Sequence, residues 1–380
     1  MLCSKKNAIK ICIISHFGYP LYNSKCKKPF GGGAAVQLYL LSKELAKNDL
    51  FDVNIITGKY GVSKNRIETY QKIKLFNVLP IRRAILNYFK TFINFFLYLI
   101  IINPDVVIQR LAGITTGFCA FYCKLFQKKF VFSIGLKSDV NGRSERGLFG
   151  KFYRYSLNNA DYIVAQNFDQ IDDLQNNHKK KFKNVEVIRS GYEIKDPDMN
   201  VKKYILWVGR AINWKRPEIF IKLAEKFPEE NFIMICYREK EDKDYWHSIK
   251  IKASNLANMQ FTGLVPFNKI DQYFKKSKVL INTSLRNEGF PNTFIQAFKN
   301  RSPVISLSVN PDDILTKNKI GFFCNSNFKN MEENLGRLLK ENELYKAYCL
   351  NSYLYVKRNH NIENIRKEWF DLIKSACSKK

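Results

Sequence analysis

Acidic residues are scarce in this chain. Its 380 residues hold 34 Asp and Glu against 63 Lys and Arg, a formal net charge of +29, and only 4 His. Residues 1–100 alone carry 16 Lys/Arg and 4 Asp/Glu, a balance of +12. A surface so poor in carboxylate excludes cationic partners and suits anionic ones: a phosphorylated substrate, the anionic inner face of a membrane, or nucleic acid. No nucleic-acid-binding motif accompanies the charge, and the excess of Lys, Asn, Ile and Phe runs through the whole chain, so no nucleic-acid partner is expected. The nine cysteines include no Cys-x-x-Cys pair and are odd in number, which argues against a disulfide framework and for a reducing compartment. A short polar start running into a strand by Ile9 is not a secretory leader, so the expected location is cytoplasmic. Cys119 and Cys123 lie one helical turn apart, but with no second His or Cys pair they read as packing, and no metal site is expected. Long apolar runs are missing too. Between Arg82 and Ile102 the longest unbroken one is Phe95 to Ile102, far below the ~20 residues that span a bilayer.

What is present is an alternation of short apolar runs and helical stretches in both halves. That pattern argues for parallel sheets covered by helices, and the length argues for two domains rather than one. Strands are expected at Ile9 to Ile14, Asp52 to Thr57, Val106 to Gln109, Lys129 to Ile134 and Tyr162 to Ala165, with a helix over Ala34 to Ala46. The polar, Pro-containing stretch Lys195 to Lys203 is the expected hinge. On a helix, residues 82–102 put Arg83, Asn87, Lys90 and Asn94 on a narrow polar stripe. Ile85, Leu86, Phe89, Phe92, Ile93, Phe96 and Leu97 then form the apolar face, which fits core packing a little better than lipid contact.

Two clusters carry chemistry. The run Lys278 to Ser284 leads into Glu288-Gly289-Phe290-Pro291-Asn292-Thr293-Phe294-Ile295-Gln296, a strand, a turn and a helix start beside a carboxylate. Amides and the positive helix end suit a diphosphate, and Glu288 can accept hydrogen bonds from sugar hydroxyls. Upstream, Tyr204 to Gly209 ends in Arg210, with Lys215 five residues on and a helix beginning near Pro217. A guanidinium fork and an ammonium at the carboxyl end of a parallel strand suit a pyrophosphate leaving group. Gly31, Gly32 and Gly33 stand between the first strand and its helix, where the backbone can approach a ligand closely.

The Gly209-Arg210-x4-Lys215 stretch, the Glu288-to-Asn292 block and the N-terminal glycines resemble the retaining nucleotide-sugar glycosyltransferases of the large group 4 family, the glycosyl transferases group 1 type. The resemblance spans nearly the whole chain and implies GT-B architecture, an α/β fold with two Rossmann-like domains facing each other across a cleft. It implies an acceptor domain at 1–196, a donor domain at 197–361 and a C-terminal helix, 362–380, that crosses back to brace the first. It also implies a role for each site residue. Arg210 and Lys215 would hold the diphosphate and Glu288 the sugar, with Gly209, Gly289, Phe290, Pro291, Asn292, Thr293 and Gln296 lining the donor. Gly32 and Gly33 would lie against the donor phosphate or the acceptor.

Two departures from the family pattern stand out. Gln296 replaces the second Glu that grips the ribose, and the loop Gly135 to Gly142 has no His near the reacting carbon, leaving Asp139 either as its candidate catalytic group or as a turn-forming residue before Gly142. The implied reaction is front-face, metal-independent transfer with retention, in which the departing phosphate takes the acceptor proton. The donor is a nucleotide sugar, with UDP favoured over GDP, and no further cofactor is needed. The acceptor is a glycan or lipid-linked oligosaccharide in cell-surface polysaccharide synthesis, reached from the cytoplasm and in peripheral contact with the inner membrane face. The string Asp196-Pro197-Asp198, which could carry a metal in other glycosyltransferases, falls in the hinge and reads as a turn. A nucleotide-sugar binder or epimerase-type protein on the same fold is the alternative, with a basic nucleic-acid-binding protein ranked behind it.

Overall fold

The structure, a computed structural model, describes residues 8–26, 28–62, 65–81, 85–196, 201–238, 243–285 and 288–378. The chain divides into two units, Met1–Gly191 with Ile362–Lys380, and Tyr192–Asn361. The division thus falls between Gly191 and Tyr192, not at 196/197, because Gly191 is still fastened to the first unit: its N–H donates to Gln37 Oε1 at 3.0 Å.

Among the described residues the first unit is built on eight strands: β1 Ile9–Ile14, β2 Phe51–Gly58, β3 Ile67–Tyr70, β4 Ile73–Leu79, β5 Val106–Arg110, β6 Lys129–Ser133, β7 Tyr162–Ala165 and β8 Val185–Val187. Their order is β3-β4-β2-β1-β5-β6-β7-β8. All neighbours are parallel except β3 and β4, which run antiparallel. The helices are α1 Tyr19–Tyr22, α2 Gly33–Leu45, α3 Ile85–Ile102, α4 Ile114–Leu125, α5 Gly147–Asn159 and α6 Phe168–His178. Successive side chains of β1 point to opposite faces. Cys12 and Ile14 therefore join the core under α3 and α4, while Ile11 and Ile13 join the core under α2. A strand covered on both faces reads as a continuous apolar run, which is why these strands were legible.

The helix expected from residues 82–102 forms, but its orientation differs from the expected one. Phe95, Tyr98, Leu99 and Ile102 face the core, and the Asn94 side chain turns inward to donate to the Val78 carbonyl at 3.3 Å. Ile93, Leu97, Ile100 and Ile101 point outward. The assignment of Ile93 and Leu97 to the core-facing side is therefore wrong; Arg82 and Arg83 lie outside the described residues. The helix is apolar nearly all round, so periodicity alone could not fix which arc meets the sheet.

In the second unit, the described strands β9 Tyr204–Arg210, β10 Phe232–Tyr237, β11 Met259–Thr262, β12 Ser277–Asn282, β13 Val304–Ser306 and β14 Gly321–Phe323 form an all-parallel sheet of order β11-β10-β9-β12-β13-β14. Its helices are α7 Pro217–Lys226, α8 Lys243–Ser254, α9 Phe267–Lys275, α10 Asn292–Phe298, α11 Ile314–Lys317, α12 Phe328–Lys340 and α13 Asn342–Asn359. Ile205 and Trp207 of β9 pack with Phe220, Phe232, Ile281 and Met331 into one core. From β9 the chain builds outward through β10 and β11, and then restarts on the other side with β12. The succession reverses between β9 and β12, and open α/β sheets bind ligands beyond the carboxyl ends of such a strand pair.

The last helix, α14 Ile362–Ser378, belongs to the first unit. Ile365, Trp369, Leu372, Ile373 and Ala376 recur at helical spacing and are buried against Ile11, Ile13 and the apolar side of α2. Ser375 and Tyr162 share a hydrogen bond of 2.8 Å. A large apolar side chain buried this way contributes about 1.5–3 kcal/mol, and Trp369→Ala, which also opens a cavity, would cost about 3–5 kcal/mol.

Candidate functional site

The reversal in strand order brings the two sequence clusters together. Arg210 is the last residue of β9, paired with Tyr237 of β10. The chain then makes a 3-10 turn, Asn213–Lys215, and enters α7 through Arg216 in the left-handed conformation (φ 48°, ψ 53°), with Pro217 at the first helical position. Proline fits there because its missing N–H has no partner within the helix anyway. This turn is tied to the extension of β12 by two hydrogen bonds: Leu285 N–H donates to the Trp214 carbonyl at 2.8 Å, and the Thr283 hydroxyl donates to the Lys215 carbonyl at 2.6 Å.

The Lys215 ammonium consequently meets Glu288. Its Nζ donates to Glu288 Oε1 while lying 4.6 Å from the centre of the Trp214 ring. Ser284 Oγ donates to the same oxygen at 2.6 Å, and Asn282 supports Ser284 through its Nδ2 (3.3 Å to Oγ) and its Oδ1 (3.2 Å from the amide N–H). Both charged side chains are largely buried, with 17% of Lys215 and 8% of Glu288 exposed. A pair this dry interacts more strongly than a surface pair, and removing either partner leaves an uncompensated charge. The corner thus offers a fixed cation next to a fixed acceptor, the combination that can hold a phosphate and a polyhydroxylated ring side by side.

Gly209 has a different explanation from close approach of a ligand. A Cβ at this position would lie 2.7 Å from the Trp207 ring, two residues back on the same face of the strand, so the glycine makes room for an indole. The Phe290 ring also packs inward, 4.8 Å from His360 and 6.4 Å from Phe294. Gly289, Pro291 and Gln296 are buried, whereas Asn292 and Thr293 are half-buried at the start of α10. That helix has seven residues, ends at Phe298 short of the expected Asn300, and has Pro291 as its N-cap with no capping side chain. Its dipole is short, and the fixed side-chain charges dominate the corner.

Residues 194–353 match the family model described as glycosyl transferases group 1. The match covers nearly the whole of the second unit. The chain is 25% identical over 375 residues to an uncharacterized glycosyltransferase of Methanocaldococcus jannaschii, covering 90% of this chain and 94% of that one. Among solved structures, sucrose-phosphate synthase from Thermosynechococcus elongatus superposes with a TM-score of 0.82 at 15% identity, covering 98% of this chain and 100% of its own. Anabaena HepE, in complex with UDP and glucose, gives 0.76 at 14% identity over 97% and 100%. Staphylococcus aureus TarM, in a mutant complex that includes UDP, gives 0.75 at 14% over 96% and 99%. The fold is GT-B.

The remaining expected site residues lie in the first unit. Gly32 (φ 75°) caps α2, which begins at Gly33; an added Cβ at Gly32 would meet open space, so the backbone angle is what demands glycine. Asp139 lies in a 3-10 turn after β6 and is only 3% exposed. Its Oδ2 accepts the Gly135 and Leu136 amides at 2.9 and 3.0 Å, and its carbonyl accepts the Tyr153 hydroxyl at 2.7 Å. Burial pushes its pKa up, against the pull of those amides, the Ala112 backbone and the Arg110 charge. A carboxylate turned into its own loop fits the turn-forming reading of Asp139. Asp196 is likewise engaged, accepting the Tyr353 hydroxyl, with Lys357 Nζ 3.8 Å away; Pro197 and Asp198 lie outside the described residues. A second string, Asp242-Lys243-Asp244, went unread in the sequence; its Asp244 lies in the first turn of α8.

Sequence reading missed Ser284, Asn282 and Thr283, although all three lie in the run that ends β12. Polar side chains inside a buried strand end are the signal that could have found them. It also missed a first-unit network in which Arg110 Nη2 donates to Ser190 Oγ at 3.2 Å and Ser190 donates to Gln166 Oε1 at 3.0 Å.

Proposed function

We propose that the chain transfers a sugar, with retention of configuration, from a nucleotide diphosphate donor to a glycan or lipid-linked acceptor of cell-surface polysaccharide synthesis. The observation that carries this is the convergence of Lys215 and Glu288 beyond the carboxyl ends of β9 and β12, with Arg210 ending β9. Arg210 and Lys215 hold the diphosphate and stabilise the charge that grows on it as the sugar leaves, a task in which fixed charges need no reorganisation. Glu288, fixed by Ser284, accepts hydrogen bonds from the sugar hydroxyls. The bond from the anomeric carbon to the diphosphate oxygen breaks as the bond to the acceptor oxygen forms on the same face, and a phosphate oxygen takes the acceptor proton. The protein cations supply this charge without a metal. UDP is favoured as the leaving group, in keeping with the UDP held by the HepE and TarM structures. A basic chain also suits a cytoplasmic enzyme in peripheral contact with an anionic membrane face.

The test is a thermal-shift screen against UDP, GDP, ADP and their sugars, followed by radiolabelled transfer with Lys215→Ala and Glu288→Ala. Stabilisation by a nucleotide sugar, with transfer lost in both variants while each stays folded, supports the proposal. Transfer that persists in both variants would refute the site, and epimerised donor without transfer would favour the binder or epimerase reading.

A further inference from the structure

The outward face of the first unit carries an apolar surface that the catalytic reading does not use. On α3, Ile93, Leu97 and Ile101 follow one another at four-residue spacing; on α4, Phe121 and Leu125 do the same; Phe152 stands on α5. All six are between 44% and 59% exposed. The three helices are adjacent. The Phe96 ring of α3 lies 5.8 Å from Phe121 of α4, and a Cβ at Gly117, one turn before Phe121, would touch Phe152 Cβ at 2.9 Å. Large side chains gathered on neighbouring helices are more than the isolated exposed apolar residues that every surface has.

The charges around this face say what covers it. α3, α4 and α5 contain no Asp or Glu, while Lys90, Lys124, Lys151 and Arg154 lie within them. From Lys72 to Arg154 the sequence holds 14 Lys/Arg against 3 Asp/Glu, and two of those three acids, Asp139 and Glu145, are buried. A protein interface ordinarily has a rim of mixed sign. An apolar centre with the exposed Lys124 and Lys151 on the same helices matches the acyl boundary of a bilayer below its anionic phosphates. No helix among the described residues is long and apolar enough to cross a membrane, so contact is confined to one leaflet.

We infer that the α3–α4–α5 face of the first unit seats the protein on an anionic bilayer, with Leu97, Ile101, Phe121 and Leu125 entering the acyl boundary and Lys124 and Lys151 meeting lipid phosphates. The inference does not depend on the donor site, and its test leaves that site untouched. The full chain is floated with phosphatidylcholine vesicles, with and without phosphatidylglycerol, alongside Leu97→Ser/Phe121→Ser and Lys124→Glu/Lys151→Glu. All four positions are exposed, so the variants should fold; circular dichroism and the nucleotide thermal shift check that they do. The expected result is flotation only with anionic vesicles, weakened roughly tenfold or more by either double variant, since each buried methylene and each cation near the surface contributes measurably. The inference is overturned if the protein fails to float on anionic vesicles at low salt, or if the variants float as well as the parent. It is equally overturned if the apolar variant only converts a dimer into a monomer in sedimentation, which would make the face a contact between two copies.

Discussion

The indole N–H of Trp207 donates to Thr283 Oγ1 at 2.9 Å, and the Thr283 hydroxyl in turn donates a hydrogen bond to the Lys215 carbonyl at 2.6 Å. One hydroxyl thus joins the core of β9 to the turn that carries Lys215. Trp207 is 2% exposed and Thr283 fully buried, so neither has water as a substitute partner.

Thr283→Val keeps the shape but removes both hydrogen bonds. Leaving a buried donor and a buried carbonyl without a partner costs about 1–3 kcal/mol each. The expected outcome in urea unfolding is a clearly lowered midpoint with an unchanged m-value, accompanied by reduced transfer because the backbone that aims Lys215 is loosened.

Ser284→Ala acts on the carboxylate directly. Its hydroxyl is 2.6 Å from Glu288 Oε1, and hydrogen bonds to charged groups contribute about 1.5–3 kcal/mol. Steady-state kinetics should show kcat/KM for the nucleotide sugar falling by about tenfold to a hundredfold, with thermal stability changed far less than in Thr283→Val. Unchanged kinetics would remove Glu288 from donor recognition.

Asp139→Asn separates a loop-forming role from a catalytic one. The substitution puts an amide donor among backbone groups that a carboxylate now accepts, so the variant should unfold more easily. Activity per folded molecule should stay near that of the parent. A loss of several orders of magnitude in that normalised rate would return Asp139 to the chemistry.

Lys202 supplies a pH signature in the second unit. Its ammonium donates to the Asn300 carbonyl at 2.5 Å and to Ser302 Oγ at 3.0 Å, and burial pushes its pKa down to about 8 from 10.5. The folded state therefore releases this proton before the unfolded state does. Between about pH 8 and 10.5 the unfolded chain binds more protons, and this group's contribution makes stability rise with pH through that window. Measured as the difference between parent and Lys202→Met, the slope should appear in that window and vanish below it; a parallel pair of curves would contradict the burial of the charge.

The legible part of the fold came from the strands. β1, β2, β5, β6 and β7 are buried on both faces, so each announces itself as an apolar run between turn residues. Lys215 and Glu288 stood out because charged residues at strand ends of an α/β pattern have few structural uses, and the fold brings these two into one hydrogen bond. Phe290 was ambiguous for the opposite reason: an aromatic beside a glycine reads the same whether it lines a ligand or packs on His360. Asp139 and the arc of α3 were beyond a linear reading, because burial depends on which neighbours the fold brings up, and no spacing rule encodes that.

Local sequence by itself determined where the strands and helices lie and which residue types stand at their ends, since pleat period, helix period and turn chemistry act over a few residues. Tertiary structure alone decided the rest. The reversal of strand order between β9 and β12 brings an ammonium and a carboxylate 73 positions apart into one hydrogen bond, and packing turned Ile93 and Leu97 to the outside. Both outcomes rest on long-range burial, which rewards the arrangement with the best-covered sheet whatever the local pattern would permit.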